Sequence, residues 1–136
     1  MKTITLLFVM LLFAGLASGQ SLKKGSFVSL HLEDVKLAPG ATMEQYVDFL
    51  INKWIPEYEK AFGSKVNFLK GIRGEHKNEY AMLIFYDSEA TRDKYFNDDG
   101  TGTEAGKNAT KKMEPLNKAL EKFGTSKSKY TDWVAQ

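Results

Sequence analysis

The chain has 136 residues, 43% hydrophobic and 26% charged, a composition that supports one packed domain and excludes a wholly disordered, collagen-like or low-complexity protein. Nineteen Lys and Arg against seventeen Asp and Glu leave a net charge of +2, a balance with no electrostatic footprint for nucleic acid. The absence of cysteine excludes thiol catalysis, a disulfide framework and thiolate metal sites.

At the N-terminus, Lys2 precedes an apolar run from Ile4 to Ala14, and Gly15, Ala17, Ser18 and Gly19 supply the small residues of a signal-peptidase cut. The expectation is a signal peptide over residues 1–19, cleaved near Gly19/Gln20, and a single domain over 20–136. The run is shorter than the roughly 20 residues of a membrane span and is followed by polar Gln20 to Lys24. The mature protein is therefore expected to be secreted or periplasmic, with no membrane segment. Asn108-Ala109-Thr110 fits a glycosylation acceptor, relevant only in a eukaryotic secretory route.

The mature chain opens with Phe27 to Glu33, which alternates strictly, so Val28, Leu30 and Leu32 share one strand face and Phe27, Ser29, His31 and Glu33 the other. After the turn Ala38-Pro39-Gly40-Ala41, Thr42 and Gln45 form a capping box that starts a helix. Val47, Leu50, Ile51, Trp54, Tyr58 and Phe62 recur at helical spacing, Pro56 predicts a bend or break, and Gly63 ends the helix. Lys65 to Glu75 reads as a second strand with two interior glycines and a hairpin turn at His76 to Asn78. Glu79 to Asp87 is a third strand, apolar on both faces. Asp87 or Ser88 caps a short helix through Phe96, a polar loop spans Asn97 to Gly102, and a final helix runs from about Thr103 to Phe123. Its apolar stripe is Ala105, Ala109, Met113, Leu116, Leu120 and Phe123, and Pro115 predicts a kink within it. Lys127 to Val134 makes a fourth, edge-type strand.

The order strand, helix, strand, strand, helix, strand predicts a ferredoxin-like α+β fold, a four-stranded antiparallel sheet with helices on one face. A third strand apolar on both sides then demands a cover for the open face, and a second copy of the chain is the simplest one. Tyr80, Met82, Ile84 and Tyr86, at about 1.5–3 kcal/mol each when fully buried, are the side chains expected to hold that homodimer.

In element order, the doubly apolar segment Tyr80 to Tyr86, the following Asp87-Ser-Glu-Ala-Thr-Arg-Asp-Lys-Tyr-Phe96 and the broken second helix, the chain resembles the dimeric α+β barrel superfamily. That superfamily holds the antibiotic-biosynthesis-type monooxygenases, the EthD-like proteins and the stress-responsive barrel proteins. The resemblance covers Phe27 to Val134 and implies back-to-back dimers with a small-ligand cleft between sheet and helices. The Asn, Trp and His set of the haem-degrading members is not placed in this sequence, since no His follows His76.

Two residues are the catalytic candidates. His31, with Ser29 and Glu33 on its strand face, is placed to exchange a proton near neutral pH or to act as a hydrogen-bonded interface residue. Arg73, expected on a strand face with Asn67, Leu69 and Glu75, would bind a carboxylate or phenolate oxygen or pair with Glu75. Trp54, Tyr58, Tyr80, Met82 and Tyr86 are the ligand-binding candidates, each equally explained by core or dimer packing. Asp98 to Glu104 alternates acids and glycines but fails the calcium-loop register, with Tyr95 and Gly106 where acids are required. Gly100, Gly102 and Gly106 follow a helix rather than a strand and so make no dinucleotide site. With two histidines, no metal centre and no cofactor are expected. Three functions compete: an exported homodimer binding a small, largely apolar or aromatic ligand; a cofactor-independent monooxygenase-like enzyme on an electron-rich aromatic, with His31 as base and Arg73 or a Tyr stabilising the oxyanion; and a non-catalytic protein-interaction scaffold.

Overall fold

The computed structural model describes residues 22–136. The expected signal peptide lies outside the described residues. β1 (Phe27–Leu37) leads into α1 (Met43–Phe49), a π-helical turn (Leu50–Trp54) and α2 (Ile55–Phe62); β2 (Lys65–Lys70) and β3 (Tyr80–Tyr86) form a hairpin; α3 (Glu89–Asp93) and α4 (Glu104–Leu120) precede β4 (Gly124–Val134). The four strands are antiparallel in the order β2-β3-β1-β4, with β2 and β4 at the edges, which is the ferredoxin-like arrangement.

The first helical stretch begins at the capping box: the Gln45 amide donates to Thr42 Oγ1 and the Thr42 amide to Gln45 Oε1. Pro56 has no N–H for the carbonyl of Asn52, and the chain absorbs the loss by widening rather than breaking. Over Leu50–Trp54 it takes the π register, with the Ile55 amide reaching the Leu50 carbonyl five residues back. That widening shifts the apolar stripe. The buried positions are Tyr46, Leu50, Ile55 and Phe62, while Ile51, which strict helical spacing placed in the core, is exposed. Gly63 closes α2 in the left-handed conformation (φ 59°). α4 starts at Thr103, whose hydroxyl accepts from the Gly106 amide, and runs on through Pro115 to Leu120. Gly106 rather than Ala105 is buried, because any Cβ there would lie 2.0 Å from the Tyr95 carbonyl oxygen.

Two expectations are corrected. β2 stops at Lys70, not Glu75, because Gly71 turns against the returning chain so closely that a Cβ would sit 1.9 Å from the His76 carbonyl oxygen. Residues 71–79 are therefore loop. The second correction concerns the sheet faces. Met82, Ile84 and Tyr86 are buried against Tyr46, Leu50 and Ile55 in the core, with Phe27 and Val66 beside them, so this side of β3 lies beneath the helices and is not a dimer surface. Tyr80 shares that side by strand alternation. The opposite side carries Val28, Leu30, Leu32, Ala81, Leu83 and Phe85, all half-buried, with Leu69 and Trp133 exposed beside them. A smaller cluster of Phe62, Ala109 and Met113 packs α2 on α4.

Candidate functional site

The antiparallel register of β1 with β4 sets Ser29 opposite Asp132, His31 opposite Tyr130 and Glu33 opposite Ser128. In an antiparallel pair, directly opposed residues point to the same side, here the side that the helices cover. α2 brings Tyr58 to it, and Arg92 with Phe96 arrives from α3 and the segment that follows. Together with Phe27, Ile84 and Tyr86 these side chains enclose a cavity of about 170 Å³. Apolar rings form most of its wall, and the polar groups converge on the β1–β4 side.

The polar groups form one connected cluster. Ser29 Oγ donates to Asp132 Oδ1 at 2.5 Å and lies 2.9 Å from His31 Nε2. The other ring nitrogen, Nδ1, is 3.3 Å from Ser128 Oγ, and the Tyr130 ring stacks on the imidazole with centroids 5.2 Å apart. Arg92 Nη2 lies 3.6 Å from Asp132 Oδ2, while Nη1 donates to the carbonyls of Phe96 and Asn97 at 3.1 and 3.0 Å. Its guanidinium also lies over the rings of Phe27 and Phe96. Arg92 thus ties α3 and the 97–102 loop to β4. Burial pushes the His31 imidazole below its ordinary value, opposed in part by the charges of Glu33 and Asp132. Burial holds the Tyr58 phenol well above the usual tyrosine value and raises Tyr86 as well. The Tyr86 hydroxyl is buried near those of Tyr58 and Ser64 without a formed hydrogen bond.

This is not a serine-hydrolase triad. There the carboxylate stands behind the imidazole and orients it toward the serine; here the carboxylate touches the serine, and the serine stands between acid and base. The arrangement suits holding or moving a proton at His31 rather than activating Ser29 as a nucleophile.

His31, Tyr58 and Ile84 also line a second, more open recess of about 360 Å³ that continues the cleft toward α4, with Glu33, Trp54, Met82, Asn117 and Ser128 in its wall. Trp54 Nε1 donates to Asn117 Oδ1 at 2.8 Å, and its indole stacks on Tyr58 with centroids 4.8 Å apart. Tyr58 stacks in turn on Phe62, and Phe62 on Phe96. A continuous aromatic ladder therefore roofs the cleft.

Of the residues singled out from the sequence, His31, Trp54, Tyr58, Met82 and Tyr86 converge on this cleft. Tyr80 does not: it stacks on Phe68 and faces a separate groove beside Met43, Val47 and Ile51. Nor does Arg73, which is exposed in the 71–79 loop, off the strand face where alternation had set it. Sequence reasoning missed Arg92, Asp132, Tyr130 and Asn117, and saw Ser29 only as a neighbour. Alternation along β4 groups Tyr130 with Asp132, but the partner of that face emerges only from the pairing with β1. In the acidic loop, Asp99 Oδ1 accepts from the Thr101 amide and hydroxyl. Among the described residues, no three or more His, Asp or Glu side chains are grouped to hold a metal ion, and no helix is long and apolar enough to cross a membrane.

No family model matches the chain, and no curated protein matches it. Among solved structures, the chain is similar to a mutant of SnoaB, a cofactor-independent oxygenase from Streptomyces nogalater, at 13% identity over 82% of this chain and 94% of that one, with a TM-score of 0.47. A VAO-type flavoprotein from Myceliophthora thermophila C1 is also 13% identical over 82% of this chain, which spans only 18% of that protein, with a TM-score of 0.36. The ferredoxin-like arrangement stands on this chain's own strand order and register.

Proposed function

We propose that this chain is a small-molecule-binding protein whose sheet–helix cleft takes a flat, largely apolar or aromatic ligand. The observation that carries the reading is the 170 Å³ cavity, walled by Phe27, Tyr58, Tyr86, Phe96 and Tyr130, with His31, Asp132 and Arg92 gathered on one side. An apolar protein cavity of roughly 150 Å³ is already large enough to bind benzene. Stacking against such rings adds about 0.5–1.5 kcal/mol per pair beyond area burial, and the polar side supplies orientation. The test is a titration of naphthols, quinones and fatty acids followed by Trp54 fluorescence in a Trp133→Phe background. A saturable quench that weakens in Tyr58→Ala supports the reading; no response and no adduct in native mass spectrometry across the set defeats it.

A second reading is a cofactor-independent oxygenase acting on an electron-rich aromatic. It is favoured by His31, a base whose burial disfavours the imidazolium, in the wall shared by the cavity and the larger recess. The guanidinium at that wall is Arg92, not Arg73. Oxygen uptake that requires the aromatic substrate and is lost in His31→Ala would establish it.

Membership of the dimeric α+β barrel superfamily, export and homodimerisation belong to the same proposal. Export rests on the leader pattern of residues 1–19. Dimerisation is supported by the half-exposed sheet face of Val28, Leu30, Leu32, Leu83 and Phe85, none of which joins either core cluster among the described residues. Each is already half-buried, so completing its burial adds about half of the 1.5–3 kcal/mol of a full transfer, and five from each of two copies are of the right order to offset an association cost of about 4–15 kcal/mol. A scaffold that offers this face to a different protein would be monomeric alone, which light scattering distinguishes.

A further inference from the structure

The hydrogen bonds around Ser29 decide which nitrogen of His31 carries the proton. A serine hydroxyl has one proton to donate, and a carboxylate oxygen only accepts. The 2.5 Å contact with Asp132 Oδ1 therefore engages the Ser29 proton. The 2.9 Å contact between Ser29 Oγ and His31 Nε2 is then a bond only with Nε2–H as donor. In the neutral ring the lone pair falls on Nδ1, whose neighbour is Ser128 Oγ at 3.3 Å, a long contact that an incoming group can replace. Ser29 and Asp132 line the smaller cavity, whereas Ser128 and Glu33 line the larger recess, so the two edges of the imidazole address different halves of the cleft.

We infer that Ser29 and Asp132 are positioning residues that hold His31 as the Nε2–H tautomer, so that Nδ1 accepts the proton of a weakly acidic ligand seated in the larger recess. This inference rests on the reading of the cleft as a ligand site. The step is a plain proton transfer: the ligand O–H or N–H bond breaks, its electron pair stays on the ligand, and the proton bonds to Nδ1. The resulting imidazolium keeps Nε2–H on Ser29, whose own proton leans on Asp132. Glu33 on β1 and Asp132 on β4 favour the imidazolium, and Arg92 from α3, lying beside Asp132, offsets part of that field. Tyr130 stacks on the ring, Tyr58 and Tyr86 are neutral phenols, and Glu121 of α4 borders the recess. Burial keeps the resting ring unprotonated at neutral pH, which leaves the Nδ1 lone pair free to accept. Because burial also weakens the base, the proton moves fully only from a ligand of matching acidity.

The two parts are tested separately. In the ligand-free full chain labelled with ¹⁵N-histidine, above the titration of His31, long-range ¹H–¹⁵N correlations should show a pyrrole-like Nε2 and a pyridine-like Nδ1 at full separation. Ser29→Ala, and independently Asp132→Ala, should narrow that separation by mixing the tautomers and lower the pH at which the ring protonates; Ser29→Thr should restore both. An Nδ1–H tautomer in the unaltered protein, or an unchanged separation in both alanine variants, overturns the positioning role. The ligand half uses 4-nitrophenol as probe. Its bound spectrum should shift toward that of the nitrophenolate relative to the free probe at the same pH, and the shift should be lost in Ser29→Ala. Binding without deprotonation overturns the inference while leaving the cleft a binding site, and no binding of nitrophenol beside a positive response from other ligands overturns the acidic class alone.

Discussion

Adjacent residues of β3 lie on opposite sides of the sheet. Met82, Ile84 and Tyr86 are buried beneath the helices, whereas Ala81, Leu83 and Phe85 remain half-exposed and join neither core cluster among the described residues. The covered face is not uniform either. Around Ile55 and Val66, toward β2, it is packed core; toward β1 and β4, and as far as Met82, Ile84 and Tyr86 of β3, it opens into the cleft where Ser29, His31, Asp132 and Arg92 meet. The helices thus pack one part of one face and leave the other part concave, while the second face stays half-exposed among the described residues. Apolar character alone does not separate core from interface; what packs against it does.

The strongest break of this contrast comes from the packed core. Leu50, 2% exposed, belongs to the packed core and also borders the larger recess, and Leu50→Ala should cost about 2–5 kcal/mol in urea unfolding, the range for a buried leucine truncation. On the uncovered face, Leu83→Lys should leave monomer stability nearly unchanged and instead convert a dimer to monomer in sedimentation velocity at micromolar concentration. An unaltered protein that already sediments as a monomer would favour the scaffold reading. The cleft half should reveal itself through pH. The folded-state value of His31 lies below the unfolded value of about 6.5, so the unfolded chain takes up the proton first. Stability from this residue is fully present above that value and declines as pH falls below it toward the folded value. His31→Asn should flatten that part of the stability–pH curve, as read by thermal melts across the window. Smallest of all, Trp133→Ser, at a residue 58% exposed, should change the stability of the diluted monomer by no more than about 0.5 kcal/mol.

Much of the architecture is legible in local pattern. Strict alternation in Phe27 to Glu33, the Thr42–Gln45 box, Gly63 and the Ser88 cap each act within a few residues, so each can be read from a few residues. The departures arise where distant atoms intervene. Gly71 ends β2 because the His76 carbonyl packs against it, which carries Arg73 out of the sheet. Pro56 shifts the helical register by one residue, which exchanges Ile51 for Ile55 in the core. His31, Trp54, Tyr58, Met82 and Tyr86 were visible as chemically apt side chains, but Arg92 and Asp132 look like ordinary surface charges until β4 pairs with β1.

The amino-acid order by itself determined element types, their succession and which residues share a strand face, because periodicity and capping are short-range consequences of backbone geometry. Only the tertiary structure decided which face of each strand the helices cover and which polar groups meet. Both depend on contacts such as Ser29 with Asp132, 103 residues apart along the chain, and no local rule carries information over that separation.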